Sequence, residues 1–316
     1  MLSPRSLAVD RVAFLIEEAT RAAGFLGAAT AYHLANGGGA WRMGLALDCG
    51  VALALPWQDA AALAASCELV HQASVVHDDV QDGEAVRRGR PSVAARYGVP
   101  AAICVGDQLL TGAFALLADL PCASGLVRLF AAGISEMVAG QAEEFAPTLW
   151  PGMTLDRYRF LAGGKAGAAV ALPIEGAALL SGMSGCDMAQ ASQAGRALGM
   201  AYQASDDAAD LAADLRRGAL NGAVAHALDA GSSDRREWLL ALLARARREG
   251  VSEVEAADCA ARLAPQVERL TAWARMLLDG IARDMASHRL GPVLAGSVSK
   301  LKSRLDMPVS ERSHAA

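Results

Sequence analysis

Apolar residues recur with a helical period along most of the chain, and glycine and proline mark the breaks between these stretches. Ser3 and Pro4 are typical of a helix start, and Gly37-Gly38-Gly39 is expected to close a second helix. Further helices are predicted over 56–83, 100–119, 123–145, 154–181, 186–217, 232–249 and 251–283. Because no alternating strand pattern is found, the sequence predicts an all-α protein.

The composition supports a single helical domain. Of the 316 residues, 53% are hydrophobic and only 5% are aromatic, which favours one large helical domain. No linker rich in proline, glycine or serine divides the chain. We therefore expect one domain over residues 1–316.

An acidic D-D-x-x-D pentad occurs twice in the chain. Its carboxylates are Asp78, Asp79 and Asp82 in the first copy and Asp206, Asp207 and Asp210 in the second. Because residues i and i+4 share a helix face, each copy presents two carboxylates from one face. Two like charges about 5 Å apart repel by roughly 3 kcal/mol at an effective dielectric of about 20. Such a cluster needs cations, and oxygen ligands suit magnesium that also binds substrate phosphates.

Arginine follows the first pentad within a few residues. A single D-D-x-x-D usually belongs to a solvated helix face, so its surroundings decide its meaning. Here Arg87-Arg88 lies between Asp82 and a Gly/Pro break, and guanidinium groups donate paired hydrogen bonds to phosphate. Carboxylates for a metal with arginines alongside predict a diphosphate site.

The order of the motifs resembles the trans-isoprenyl diphosphate synthase (polyprenyl synthetase) family. The matching segments are His77-Asp78-Asp79-Val80-Gln81-Asp82, Arg87-Arg88-Gly89-Arg90-Pro91, Gly106-Asp107, Gly140-Gln141, Lys165 and the second pentad with Gln203 before it. The resemblance extends from about Tyr32 to about Gly231. It implies an all-α, single-domain helical bundle of the isoprenoid synthase (class I terpenoid synthase) type around a central apolar cavity.

The resemblance also implies roles for individual residues. Three Mg²⁺ ions are expected when diphosphate is bound, with Asp78, Asp82 and Asp206 as direct ligands. Asp79, Asp207 and Asp210 would then act through water or as supporting groups. The residues expected to hold or orient the allylic diphosphate are Arg87, Lys165 and Gln203, and Gln141 is expected to reach the site.

The chain departs from the family at the acceptor site. The family has a G-G-K-R-x-R-P run, whereas this chain has Gly37-Gly38-Gly39-Ala40-Trp41-Arg42-Met43. Arg42, His71 and Arg88 remain at acceptor positions. Losing two cations removes two charge-assisted contacts of about 1.5–3 kcal/mol each, which predicts weak binding of isopentenyl diphosphate or a different acceptor.

Three functions therefore remain open. The first is a prenyltransferase that condenses an allylic diphosphate with isopentenyl diphosphate. The second is a terpene synthase, or a transferase to a non-isopentenyl acceptor. The third is a non-catalytic subunit that binds a partner synthase.

The resemblance implies a deep cavity and a homodimer. In the family, the residues five and four positions before the first aspartate form the cavity floor, and here these are Ala73 and Ser74, with Val70 one turn deeper. Small residues at this floor predict a hydrocarbon of twenty carbons or longer. A chain this apolar is also expected to bury helix surface against a second copy.

Net charge, cysteine usage and apolar runs indicate the class of partner and the cellular location. The net charge of −5 argues against a nucleic-acid partner. The six cysteines show no C-x-x-C pair and are predicted to be small core residues in a reducing compartment. No signal-peptide pattern was found, and Asp107 interrupts the strongest apolar run, so no transmembrane segment is expected and a cytoplasmic location is predicted.

Overall fold

The computed structural model describes residues 4–37, 41–146 and 148–307, and nearly all of its regular structure is helical. In chain order the helices are α1 (Pro4–Ala19), α2 (Gly24–Leu34), α3 (Trp41–Ala52), α4 (Trp57–Gln81), α5 (Val93–Tyr97), α6 (Val99–Ala118), α7 (Ala123–Glu144), α8 (Leu155–Ala162), α9 (Ala168–Leu180), α10 (Gly185–Arg217), α11 (Gly222–Ala230), α12 (Ser233–Glu249), α13 (Glu253–Arg262), α14 (Ala264–Asp284) and α15 (Gly291–Asp306). A π-helical turn, Gly163–Gly167, lies between α8 and α9. The predicted all-α class is confirmed.

Two predictions about the elements were wrong. The first is the absence of strands, because β1 (Val86–Arg87) and β2 (Arg90–Pro91) form a small antiparallel hairpin. The second is a continuous helix over 251–283, which the structure divides at Leu263 into α13 and α14. Pro265 lies in the first turn of α14, where the missing N–H of proline does no harm.

Local capping explains several helix starts. Ser92, Thr154 and Ser232 each accept a hydrogen bond from a backbone N–H in the first turn of α5, α8 and α12. Such a side chain satisfies one of the donors that a helix start leaves unpaired. The predicted N-cap Ser3 and the predicted closing glycines at positions 38 and 39 lie outside the described residues. Helix α2 already ends at Leu34.

The chain forms two compact units, with boundaries inside α7, α9 and α10. The first unit comprises residues up to Ala132 and Leu172–Ala191. Its central element is α4, which packs against α1, α3 and α6. Leu63, Leu69 and Val76 of α4 are fully buried, so the helix that carries the first pentad is fixed by its apolar face.

The second unit comprises Gly133–Ala171 and Ser192–Ala316. Within it, α14 packs against α11 and α15. A side chain at Gly222 would place its Cβ 2.6 Å from Tyr158 Cζ, so the start of α11 requires glycine for this close approach.

Two helices of the described residues, α6 and α7, are long and apolar enough to cross a membrane by length and composition alone. Core helices meet the same criteria. The expected absence of a transmembrane segment stays a prediction.

The expectation that the cysteines are core residues holds only in part. Cys49, Cys67 and Cys259 are buried, whereas Cys104, Cys122 and Cys186 are exposed. Helical periodicity places apolar residues on one face, but it does not tell which face a small residue at its edge will take.

Candidate active site

The first pentad lies at the end of α4, in the first unit. Asp78 is half-buried and Asp82 is exposed, whereas Asp79 is only 2% exposed. Asp82 caps the helix, and its backbone N–H donates to the carbonyl oxygen of Asp78 over 2.8 Å. The pentad therefore presents Asp78 and Asp82 toward solvent and turns Asp79 inward.

Asp79 binds Arg87. The Nε of Arg87 donates to Oδ1 of Asp79 over 2.8 Å, and its Nη2 donates to the same oxygen. Burial raises the pKa of Asp79, and the Arg87 guanidinium partly offsets that rise. Because its carboxylate is committed to an arginine, Asp79 fits the predicted supporting role better than direct metal ligation.

The β1–β2 hairpin holds the arginines that follow the pentad. Arg88 and Gly89 at its tip have φ angles of 51° and 74°, the backbone sign that tight hairpin turns need. Two side chains of the first unit anchor this hairpin. Asn36 Nδ2 donates to the Arg87 carbonyl oxygen over 3.1 Å, and the Tyr32 hydroxyl donates to the Pro91 carbonyl oxygen over 2.8 Å.

The residues predicted for the acceptor site come together. Arg42 Nη1 lies 3.4 Å from His71 Nε2, and Arg88 donates a hydrogen bond to the carbonyl oxygen of Gly37. Burial, followed by the charges of Arg42 and Arg88, lowers the pKa of His71 to about 3. His71 is therefore neutral at pH 7, so the positive charge of this cluster comes from arginine. Positions 39 and 40, where glycine and alanine replace the family's lysine and first arginine, lie outside the described residues.

Gly106 allows His77 to approach α6 closely. A Cβ at Gly106 would lie 2.1 Å from Nε2 of His77, and this nitrogen is 3.8 Å from Oδ1 of Asp107. The Gly106-Asp107 motif thus packs against the residue that directly precedes the first pentad.

The predicted cavity floor lies on the same helix. Ala73 and Val70 are 1% and 3% exposed, and Ser74 is half-buried with its hydroxyl donating to the His71 carbonyl oxygen over 2.8 Å. Ala73 and Val70 are thus buried, whereas the role of these three residues in chain length stays a prediction.

The second pentad lies inside α10, in the second unit. The carboxylate of its second aspartate, Asp207, accepts three hydrogen bonds. Asp207 is 3% exposed. Its Oδ2 accepts hydrogen bonds from the Tyr158 hydroxyl and the Gly222 N–H, and its Oδ1 accepts one from Gln203, each over 2.7 Å. Burial, followed by the charge of Asp214, raises the pKa of Asp207 to about 7, although these hydrogen bonds oppose the rise. Asp207 therefore joins α8, α10 and α11.

This arrangement gives Gln203 a protein partner and includes residues that the motifs did not indicate. Gln203 Nε2 donates to Asp207 Oδ1, and the predicted role of Gln203 in orienting the diphosphate stays a prediction. Asn221 Nδ2 donates to the Asp207 carbonyl oxygen over 2.8 Å and to Asp214 Oδ2 over 2.9 Å. Tyr158, Asp214 and Asn221 lie outside any motif, and only their tertiary contacts reveal them.

Asp206, a predicted metal ligand, is paired with a residue from the last described helix, α15. Arg304 Nη1 of α15 lies 2.6 Å from Asp206 Oδ1, and the Arg304 side chain is only 8% exposed. The Arg304 guanidinium also lies over the Tyr202 ring at 5.4 Å from its centroid. Nothing in the sequence around Arg304 indicated this contact. Asp210 is half-buried on the same helix.

Lys165 and Gln141 also belong to the second unit. Lys165 lies in the π-helical turn, a feature often found at functional sites, and its Nζ is 3.2 Å from Glu144 Oε1. A Cβ at Gly140 would lie 3.4 Å from the backbone nitrogen of Lys165, so α7 passes close to this turn. Gln141 is buried, and within the described residues its amide nitrogen and oxygen have no hydrogen-bond partner. An unsatisfied buried amide costs about 1–3 kcal/mol, which a bound polar group would offset.

The donors suit Mg²⁺ chemically. The pentads offer only carboxylate oxygens, which Mg²⁺ prefers, and Asp78 and Asp82 share a helix face. Among the described residues, no three His, Cys, Asp or Glu side chains are grouped as a metal site. The carboxylates therefore suit Mg²⁺ ions that complete their coordination shells with water and substrate oxygens.

Comparisons with known proteins agree with these motifs. The family model for polyprenyl synthetases matches residues 24–258. A geranylgeranyl diphosphate synthase of Mycobacterium tuberculosis is 31% identical over 78% of this chain and 70% of its own length. A short chain isoprenyl diphosphate synthase of Methanothermobacter thermautotrophicus is 29% identical over 70% of this chain and 73% of its own.

A solved structure shows the same fold. The crystal structure of a decaprenyl diphosphate synthase from Rhodobacter capsulatus matches with a TM-score of 0.85 at 21% identity, over 95% of this chain and 96% of that chain. The predicted isoprenoid synthase fold and family are thus confirmed. The chain belongs to the polyprenyl synthetase family, a family of trans-prenyltransferases.

Proposed function

We propose that the protein ionises an allylic diphosphate with Mg²⁺ and condenses it with isopentenyl diphosphate to make a longer isoprenyl diphosphate. The observation that carries the proposal is the hydrogen bonding of Asp79 to Arg87 beside Asp78 and Asp82. It holds a phosphate-binding group next to two carboxylates that suit a metal. Membership of the polyprenyl synthetase family supports the reaction class.

In this proposal, Asp78, Asp82 and Asp206 would be direct ligands of the three Mg²⁺ ions that the family resemblance implies, and Asp210 would act through water. When bound, Mg²⁺ supplies Lewis-acid stabilisation of the charge that develops on the leaving diphosphate. Asp79 and Asp207 do not ligate the metal. They fix Arg87 and the α8–α10–α11 junction.

The remaining residues bind and orient the substrate. Arg87 and Lys165 donate to diphosphate oxygens as preorganised cations. The amide of Gln141, which has no hydrogen-bond partner among the described residues, contributes further polar contacts. Gln203 acts by holding Asp207. Arg304, which pairs with Asp206, would compete with a metal ion for this carboxylate. Apolar helix faces keep water from the allylic cation.

Arg42 and Arg88 supply the positive charge for the acceptor diphosphate, and the neutral His71 supplies a hydrogen bond. The cation alkylates the double bond of isopentenyl diphosphate, and the released diphosphate takes the proton, as the family resemblance implies. This cluster has fewer cations than the family's acceptor site, because the family's lysine and first arginine are replaced. The loss also favours a second candidate, a terpene synthase or a transferase to another acceptor.

We further propose a product of twenty carbons or longer, a homodimer, and a single catalytic domain in the cytoplasm. Small residues at positions 73 and 74 support the product length. The relatives do not fix it, because they are named for products as different as geranylgeranyl and decaprenyl diphosphate.

Purified protein incubated with dimethylallyl, geranyl or farnesyl diphosphate, with and without Mg²⁺ and isopentenyl diphosphate, separates the candidates. Elongated diphosphates that require both additions support the proposal. A hydrocarbon or alcohol formed without isopentenyl diphosphate supports the second candidate. Absence of turnover under all conditions supports a non-catalytic subunit and contradicts the proposal.

A further inference from the structure

The first unit contains a groove that the proposed reaction does not use. The groove has a volume of about 490 Å³ and is lined by residues of α1, α2 and α4. This volume lies within the range of small-molecule sites in proteins, roughly 300–1,000 Å³. We refer to it as the α1/α2/α4 groove.

The floor of the α1/α2/α4 groove is polar and buried. Thr20, Thr30, Glu68 and Gln72 line it, and each is less than a tenth exposed. Gln72 Nε2 donates to Glu68 Oε1 over 2.6 Å. Within the described residues, the second carboxylate oxygen of Glu68 and the hydroxyl oxygen of Thr30 have no hydrogen-bond partner. Buried polar atoms are rarely left without partners, so the floor is suited to a ligand that donates hydrogen bonds.

The rim and walls add charge and apolar surface. Glu17 brings a second carboxylate to the rim, whereas the guanidinium of Arg21 donates to Glu18. Ile16, Leu34 and Ala31 supply apolar wall. Two carboxylates facing one groove favour a cation, and the lack of any three-residue metal cluster among the described residues favours an organic one.

We propose that the α1/α2/α4 groove binds a small amphipathic amine, with its ammonium group at Glu68 and Thr30 and its hydrocarbon along Ile16 and Leu34. This site goes beyond the prenyl transfer proposed above, since the side chains that line it have no role in that reaction. Gly37 of its lining also accepts a hydrogen bond from Arg88 of the acceptor cluster. Its test needs no catalytic turnover.

Three probes of equal chain length test the proposal by isothermal titration calorimetry at pH 7: hexylammonium, hexanol and hexanoate. We expect saturable binding of one hexylammonium per chain, at least about tenfold weaker binding of hexanol, and weaker binding still of hexanoate, because only the ammonium donates charge-assisted hydrogen bonds.

Two variants locate the site. Glu68→Gln keeps the side-chain shape and is expected to weaken hexylammonium binding at least about tenfold. Ala31→Trp fills the groove from an exposed position and leaves the floor intact, so it is expected to abolish binding even if Glu68→Gln fails to fold. Glu237→Gln removes one exposed carboxylate from α12 and serves as the charge-matched control.

The proposal is overturned if wild-type protein shows no saturable hexylammonium binding, or if the three probes bind equally. It is also overturned if folded Ala31→Trp binds hexylammonium as wild type does, or if Glu237→Gln weakens binding as much as Glu68→Gln. Circular dichroism of each variant verifies the fold.

Discussion

Arg304 pairs with Asp206 at 2.6 Å between Nη1 and Oδ1, and this joins the last described helix to the second pentad. The ion pair is mostly buried, with side-chain exposures of 8% and 28%. A metal ion that binds Asp206 directly must therefore compete with a guanidinium. The second pentad is held by its own protein partners before any substrate arrives.

Arg304→Gln is expected to lower the free energy of unfolding by about 1–3 kcal/mol in metal-free buffer, because it removes the buried guanidinium that pairs with Asp206. Added Mg²⁺ should stabilise this variant more than it stabilises wild type, since the competitor is gone. Urea unfolding of wild type, Arg304→Gln, Asp206→Asn and the double variant measures the coupling. Additive effects of the two substitutions would show that the pair does not contribute to stability.

Acidification is expected to destabilise the protein through His71. Its pKa is lowered to about 3, chiefly by burial, whereas in the unfolded chain it stays near 6.5. The folded state therefore disfavours the proton, and stability that is complete above pH 6.5 is lost as the pH falls toward 3.

His71→Gln should reduce the slope of unfolding free energy against pH between about 6.5 and 4. The pKa of His33 is lowered to about 4, also mainly by burial, so His33→Gln combined with His71→Gln should flatten the curve further. An unchanged slope in both variants would show that these histidines are not the buried neutral groups described above.

Gly222→Ala is expected to destabilise the protein by about 1–3 kcal/mol, although alanine normally favours a helix over glycine by about 1 kcal/mol. Its Cβ would lie 2.7 Å from the Tyr158 hydroxyl and 2.7 Å from Leu270 Cδ1, and both side chains are fully buried. Gly280→Ala is the matched control, since nothing lies within 4 Å of its Cβ, and it should be neutral or stabilising. Thermal unfolding of wild type and the two variants measures the change in stability that each substitution causes, which is expected to be negative for Gly222→Ala and zero or positive for Gly280→Ala.

Ala73→Phe should shorten the product or exclude long substrates. Ala73 is 1% exposed, so a phenyl ring must displace neighbours or enter the space left for the hydrocarbon, at a stability cost of about 1–3 kcal/mol. Ala64→Phe, at an equally buried position of α4, controls for overpacking alone. Product chromatography below the unfolding temperature compares the variants with wild type. Products of ten or fifteen carbons from wild type, or an unchanged length in Ala73→Phe, would place the floor elsewhere.

The sequence predicted most long helices because their apolar period and their Gly/Pro breaks are local features. The boundaries of α4, α6, α7 and α10 lie within two residues of the predictions. The break at Leu263 was missed because the apolar period of residues 251–283 continues past Pro265, the residue that marks the first turn of α14. The hairpin was missed because its two-residue strands are too short to alternate, and its turn depends on positive φ at Arg88 and Gly89.

The candidate site was predictable where a motif is local and not where it is tertiary. Asp78, Asp82 and the arginines of the hairpin could be identified from their spacing. Arg304 could not, because it is a single arginine in a helix far along the chain, without a motif around it. The contact of Gln203 Nε2 with Asp207 was likewise not predicted, and the role in orienting diphosphate that the resemblance implies for Gln203 stays a prediction.

The central claim is that Mg²⁺-dependent ionisation of an allylic diphosphate requires both pentads. Its most direct test is diphosphate release from farnesyl diphosphate and isopentenyl diphosphate by wild type, Asp78→Asn and Asp206→Asn, with exposed Asp119→Asn as the control. We expect each pentad variant to lower turnover about a thousandfold or more, equivalent to about 4 kcal/mol of barrier. The turnover of Asp119→Asn and the folded fraction of every variant are expected to equal those of wild type. Near-normal turnover of folded Asp206→Asn, or wild-type turnover that survives removal of Mg²⁺, would contradict the account.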